Sequence, residues 1–472
     1  MGFDMRTVGK QLSIYIALIT IATTLSIIRT GFAFGIGNNV FHIPLVLNWE
    51  SLSAFEGDAF YLSLNKFVSI VYPLIKIFSN ASNIETVFLV AHFLSRGLAI
   101  AAISALLIFQ LRLHPAQVAL SLIAVALTPW LVGGSILGNH GLWISYFSHS
   151  EVTWGFLLLA LMAAHAQRWT WVGLLAGLVF DINAFVGIWL LSMLGVAFVT
   201  SPPNFARNQL LKSTLVFLLC AAPVITWIAF GMGNGHGAFN YLEYIRMYYP
   251  DHFLIEASSW RARGIFAVFI MLGFTAASLM SSPRYWFSML AGVIAVFLIG
   301  VILPYFFNHR IVFNLHLLRI GGVIQWLSTL MTIVCLVARL KLDGRQTVPM
   351  YAMIGLLSVV TPQPEPASLV AALISLAAIA WIESHPEDNW LSRILSQTSV
   401  AIALIMLLIA MEVLRYQFNW ANALRWVMLL AVIWRAPMRW SYLGWVLLVA
   451  AVLTPIVHDR GQLIFSKNTR NR

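Results

Sequence analysis

The stretch WTWVGLLAGLVFDINAFVGIWLLSMLGVAFVT, residues 169–200, decides the architecture. It is apolar on both sides of one polar break, DIN at 181–183. A single membrane-spanning helix needs about 20 apolar residues. This run is too long for one plain span and too short for two full ones, so a hairpin of short helices with its apex near Asp181 fits it. The apolar residues follow one another without the alternation of a barrel strand. Lipid permits only helices or closed barrels, because every backbone polar group must be satisfied internally, and continuous runs select helices. A carboxylate inside such a run normally faces a cavity or a partner. Asp181 is therefore a candidate for positioning a substrate or for pinning the short helices together.

The same pattern recurs along the chain. Of 472 residues, 60% are hydrophobic and 10% charged, and the mean hydropathy is +0.85. Soluble proteins carry about 25% charged residues. The expected fold class is all-α, a polytopic transmembrane helical bundle of about 12–15 spans in a single integral membrane domain covering residues 1–472. A first span near 11–35 follows Arg6 and Lys10 and reads as a retained anchor with a cytoplasmic N-terminus. Further spans are expected at 86–111, 115–138, 152–167, 209–232, 263–281, 285–307, 315–340, 347–361 and 366–383, then at 398–414, 420–436 and 440–457. With the hairpin counted as two crossings, the tail KNTRNR falls outside, against its charge, so one late segment is miscounted. The net charge of +11 resides mostly in short inter-span loops, which is a membrane-orientation signal and not a nucleic-acid surface. Cys220 and Cys335 each sit inside an apolar run, which excludes a disulfide framework or a zinc motif.

Acids are scarce, and this topology places most of them on one side. The first outer loop, 37–84, contains NWESLSAFEGDAFYLSL (48–64), with Glu50, Glu56 and Asp58. Beyond Asp58, Phe60, Leu64, Phe67, Val68, Val71 and Ile75 share one helical face, and Asn65, Ser69 and Tyr72 the other. That pattern predicts an amphipathic surface helix headed by Asp58, where a carboxylate can also serve simply as a cap. A second short loop, 139–151, holds His140, His149 and Glu151. Their spacing matches no metal motif, and solvated loop histidines are the expectation. The second large outer loop, 233–262, interleaves Arg246, Asp251 and His252 with Tyr241, Tyr244, Tyr248, Tyr249 and Trp260. Aromatics of this kind either stack on sugars or form an interfacial belt. In NHRIVFNLHLLRIGG (308–322), His309 and Arg310 lie at an outer loop, and His316 and Arg319, three apart, share a face of the helix expected there. An arginine just inside a span can grip phosphate through two N–H groups or snorkel to headgroups.

A long acid-bearing first outer loop backed by a surface helix resembles the GT-C superfamily of membrane glycosyltransferases. The acid–x–acid pattern EGD at 56–58 fits that resemblance, and RMYYPDH at 246–252 is a looser likeness, with Asp251 where relatives carry histidine. The resemblance implies inverting transfer of a sugar from a polyprenyl-phosphate donor to a glycan, lipid or protein acceptor outside a bacterial inner membrane. It implies that Asp58 is the general base with Glu56 as its alternative, because an acceptor hydroxyl becomes nucleophilic when a carboxylate takes its proton. Glu50, Asp181, Arg246, Asp251, His252, His309, Arg310, His316 and Arg319 are then substrate-binding candidates, with Arg319 and Arg310 leading for the phosphate. The sequence assigns no cofactor, and a divalent cation is left open. The rival readings are a polysaccharide polymerase or ligase using lipid pyrophosphates, and a lipid-linked sugar transporter.

Overall fold

The computed structural model describes residues 5–58, 64, 68–200, 207–231, 240–340, 347–360, 366–385 and 390–395. The expected spans at 398–414, 420–436 and 440–457 lie outside these residues, as does most of the helix that Asp58 would head. The described chain is mainly helical, with two isolated β-bridges and no strand among the described residues. Among the described residues, seven helices are long and apolar enough to cross a bilayer: Leu12–Thr30, Ile84–Gln110, Asn208–Phe230, Trp260–Ser278, Pro283–Phe306, Val312–Ala338 and Pro366–Ser384. Four shorter apolar helices accompany them. The described residues are thus strand-free and mainly helical, and their seven long apolar helices are compatible with an integral membrane protein.

Backbone contacts divide the chain into two compact units. The first comprises Met1–Arg112, Val132–Ala262 and Arg284–Ile324, and the second Leu113–Leu131, Arg263–Pro283 and Gln325–Arg472. Within the second unit, the Gln325 amide donates to the Trp130 carbonyl at 2.7 Å and the Thr128 hydroxyl to the Val359 carbonyl at 2.8 Å. Arg339 pairs with Glu383 at 2.8 Å. All candidate site residues belong to the first unit.

That unit contains α1 (Met5–Thr30), α2 (Asn39–Leu47), α3 (Val71–Phe78), α4 (Ile84–Ala105), α5 (His149–His165), α6 (Trp169–Ile182), α7 (Ala184–Thr200), α8 (Arg207–Gly231), α9 (Tyr241–Tyr248), α10 (Pro250–Phe253) and, from its second residue on, α11 (Pro283–Phe306). The break in the opening stretch is real. Helix α6 ends at Ile182, and Asn183 restarts the chain by accepting the free N–H groups of Phe185 at 3.1 Å and Val186 at 3.4 Å on its side-chain oxygen. Gly187 lets the two short helices close on each other, since a Cβ there would lie 2.7 Å from Phe180 Cα.

Three expectations are corrected. The span expected at 115–138 is a 13-residue helix, Pro115–Leu127, whose rise of about 20 Å is short of the roughly 30 Å hydrocarbon core. Pro129 drives Thr128 into extended geometry (φ −61°, ψ 128°) and stops the helix. Residues 132–148 then form an irregular loop tied by the bridges Val132–Trp143 and Gly134–Gly141. Second, no continuous helix carries His316 and Arg319 on one face. His316 is left-handed (φ 47°), a 3-10 turn covers Leu317–Ile320, and the α-helix starts at Gly321. Third, the surface helix behind the first loop is re-registered. Residues 68–70 are not helical; the Ser69 hydroxyl donates to the Ile182 carbonyl at 2.7 Å and the Ile70 N–H to the Asp181 carbonyl at 3.1 Å. In α3 the buried face is Val71, Tyr72 and Ile75, against Val46, Phe88, Phe147 and Ile182. Tyr72, expected on the polar face, is 1% exposed, whereas Leu74, Ile77 and Phe78 face outward.

Candidate functional site

Four sequence-distant segments meet in the first unit. The Asn39 amide donates to the Phe147 carbonyl at 2.9 Å, and Ala33 N–H to the Ser145 carbonyl at 2.6 Å. The Asn139 amide donates to Asp251 Oδ2 at 2.8 Å. Asn308 accepts from Leu242 N–H at 3.0 Å and donates to Asn240 Oδ1 at 3.0 Å. Loop 132–148 also lies directly on residues 318–319. A Cβ at Gly138 would sit 2.4 Å from the Leu318 carbonyl oxygen and 2.6 Å from Arg319 Cα, and Gly138 has φ +75°. Both the close approach and the left-handed backbone demand glycine.

Arg319 is the focus of this junction. Its guanidinium makes no hydrogen bond to a side chain or carbonyl of the described residues, and its Nε is buried without a partner. A buried guanidinium donor left unmatched costs free energy that an anionic ligand removes. Arg319 lies within electrostatic reach of Tyr146, Asp251, His140, His149, His252 and His316. Asp251 and His252 form a dyad, with His252 Nδ1 3.0 Å from Asp251 Oδ1. Burial pushes the Asp251 carboxyl up, but hydrogen bonds from His252 and Asn139 outweigh it and hold the group below the usual carboxylate range. Burial and the Arg319 charge lower His252 against the raising effect of Asp251. His316 is wedged between Phe185 and Phe253, with ring centroids 4.7 and 4.6 Å away.

His140 and His149 are not solvated loop histidines, contrary to expectation. His140 is 2% exposed and packs edge-on against Trp154 and Trp189 at 5.5 and 5.3 Å. Burial first, then the charge of Arg319, holds it well below the usual imidazole range, so it is neutral. His149 is locked by its neighbours. Asn183 Oδ1 already accepts two backbone N–H groups, so its amide nitrogen must donate, to Ser150 Oγ at 3.0 Å and to His149 Nε2 at 3.3 Å. The proton of His149 therefore resides on Nδ1, which donates to the Tyr72 hydroxyl at 3.1 Å. His42 stacks on Tyr72 at 4.3 Å, and burial lowers it well below its usual value.

Below the loops, Glu151 is 1% exposed and faces two basic side chains of α4. Arg96 Nε donates to its Oε1, and His92 Nδ1 lies 2.9 Å from its Oε2 without hydrogen-bond alignment, an electrostatic contact. Arg96 also donates to Ser26 Oγ at 3.3 Å and to the Ile144 carbonyl at 3.1 Å, with Trp143 4.9 Å from its guanidinium carbon. This cluster ties α1, α4, α5 and the loop together.

The other sequence candidates divide sharply. Glu56 and Asp58 are exposed at a turn formed by Gly57 (φ +77°), with the Asp58 N–H bonded to the Phe55 carbonyl at 3.1 Å. Asp181 is 5% exposed, with Oδ1 lacking a hydrogen-bond partner among the described residues. Arg246 pairs with Glu256 at 3.0 Å on the surface, both about half exposed (52% and 47%). His309 is exposed. Glu50 lies in a 3-10 turn and Arg310 begins a short helix, and their side chains are outside the described set. Thus Asp251, His252, His316 and Arg319 come together, whereas Arg246 and His309 face outward. Among the described residues, no group of three or more His, Cys, Asp or Glu side chains could hold a metal ion. His92, Arg96, Asn139, Tyr72 and Asn183 were not singled out from sequence. His92 and Arg96 did carry a signal, since two basic residues four apart on one helical face inside an apolar span require a buried partner. No family model, curated protein or solved structure matches this chain.

Proposed function

We propose that this protein is a membrane glycosyltransferase of GT-C type that moves a sugar from a polyprenyl-phosphate donor to an acceptor on the outer face of a bacterial inner membrane. One observation carries the reading: Arg319, a guanidinium without a hydrogen-bonded side-chain or carbonyl partner among the described residues, at the junction of loops from four parts of the chain. Such a group is suited to the phosphate of a leaving lipid carrier. The first-loop acids are exposed, as a base that must meet an incoming acceptor requires. In this reading Asp58 takes the acceptor proton, with Glu56 as its neighbour, and Arg319 and His316 contact the phosphate. Tyr244, Tyr248 and Tyr249 offer exposed rings for sugar stacking. A lipid-linked sugar transporter is the second reading, favoured by the helix break at Asn183 and the buried charges of α4.

The test is sugar transfer in membranes expressing the protein at equal levels. Asp58→Asn and Arg319→Gln should each lower turnover at least a hundredfold, an effect typical of removing a catalytic proton acceptor or charge stabiliser. Turnover unchanged in Asp58→Asn removes the base assignment. Movement of lipid-linked sugar across vesicles without any bond transfer selects the transporter.

A further inference from the structure

Around Arg319 the charges nearly cancel before any ligand arrives. Arg319 contributes one positive charge and Asp251 one negative, and His252 hydrogen-bonds Asp251 through Nδ1. A dianionic phosphate monoester entering this site would leave it two charges negative. The neighbouring imidazoles differ in their capacity to answer that change. His140 is enclosed by Trp154 and Trp189, and His316 by Phe185 and Phe253, so neither has a carboxylate behind its ring. His149 has Nδ1–H on Tyr72 and Nε2 occupied by the Asn183 amide. His252 alone among these four has a carboxylate on one ring nitrogen, its side chain is 26% exposed, and its Nε2 makes no hydrogen bond to a described residue. Asp251 is itself held in place by Asn139, next to the Gly138 contact with Arg319.

We propose that anion binding at Arg319 is coupled to uptake of one proton, and that the proton goes to His252. This rests on reading Arg319 as the anion contact. A solvent proton adds to Nε2, Nδ1–H stays hydrogen-bonded to Asp251, and the resulting imidazolium gives the anion a second charged N–H donor beside the guanidinium. No covalent bond to the anion forms or breaks. The other charged and titratable groups packed around α10 do not supply this function. Arg246 is paired with Glu256, and Glu243 is bonded to Asn240 at 3.1 Å.

The experiment is titration calorimetry on the full chain in nanodiscs, at several pH values and in two buffers of different ionisation enthalpy. Sulfate is the first probe, because it is fully ionised throughout and any proton taken up belongs to the protein. The wild type should bind sulfate more tightly as pH falls, by up to about tenfold per unit, with uptake approaching one proton. His252→Gln should bind more weakly and lose the pH dependence, and Arg319→Gln should lose binding. Affinity independent of pH in the wild type, or full uptake in His252→Gln, overturns the proposal, as does undiminished binding by Arg319→Gln. If His252→Gln does not fold, Asp251→Asn should still show reduced uptake, and unchanged uptake there overturns it equally. Inorganic phosphate and farnesyl phosphate then separate the sources. Equal affinity indicates a free phosphate, and tighter farnesyl phosphate binding a lipid headgroup; both support the site. Because no sugar transfer is measured, proton-coupled binding without transferase activity would refute the proposed reaction alone.

Discussion

Replacing Glu151 by Gln tests the buried charges that hold the site together. Arg96 and Glu151 are 0% and 1% exposed. Removing one partner of such a pair strands the other charge, at a cost of about 3–5 kcal/mol. Two features place Glu151→Gln near the lower end of that range. The glutamine oxygen can still accept from Arg96, and Arg96 keeps the Ser26 hydroxyl, the Ile144 carbonyl and the Trp143 face. Glu151→Ala, which removes the acceptor as well, belongs at the upper end. A loss of about 3 kcal/mol is roughly a hundredfold in the folding equilibrium. The double variant Arg96→Met, Glu151→Leu removes both charges, so it should fall within about 1–2 kcal/mol of the wild type despite removing more atoms. Equilibrium unfolding in mixed micelles, followed by tryptophan fluorescence, gives the cycle. Trp143 lies 4.9 Å from the Arg96 guanidinium carbon, and Trp154 follows Glu151 by three residues on α5, so both report on the cluster. A cost under about 1 kcal/mol for Glu151→Gln, or a double variant that loses the sum of the separate Arg96→Met and Glu151→Leu changes, would refute this account of the pair.

Three further outcomes follow from the same contacts. Stability should decline in acid: His42 and His140 are held neutral by burial, so below the unfolded pKa near 6.5 the unfolded chain binds protons that the folded one does not. Each costs up to about 1.4 kcal/mol per pH unit between 6.5 and its lower folded value, and a thermal melt no less stable at pH 5 than at pH 7.5 contradicts this. Gly138→Ala should lose about 1–3 kcal/mol from the left-handed backbone alone, and should weaken sulfate binding through displaced Arg319; unchanged binding would detach that loop from the site. Asn183→Ala should cost about 1–2 kcal/mol through the lost cap of α7 and free His149 to change tautomer, visible as an altered imidazole nitrogen shift in labelled protein.

The helical spans were legible in sequence because lipid imposes a local rule. Each crossing must satisfy its own backbone within one continuous apolar segment, so the limits of Ile84–Gln110 or Pro366–Ser384 can be read almost directly. The break at 181–183 was legible for the same reason. Where the reading failed, a local rule was overruled by a single residue or by a distant contact. Pro129 ended a run that composition alone carried to 138. Tyr72 was placed on the polar face by its hydroxyl, yet that hydroxyl is satisfied inside by His149. His140 and His149 read as solvated because they follow a loop, but that loop folds inward.

The sequence by itself determined the class of the protein, the limits of most described helices and a set of polar residues too costly to leave unexplained in an apolar chain. The tertiary structure alone decided which of them meet. Hydropathy is a property of consecutive residues, whereas Arg96 finds Glu151 across 55 positions and Asn139 finds Asp251 across 112. Those pairings depend on loop closure and on glycines such as Gly138 that let two backbones touch, and neither leaves a periodic trace in the sequence.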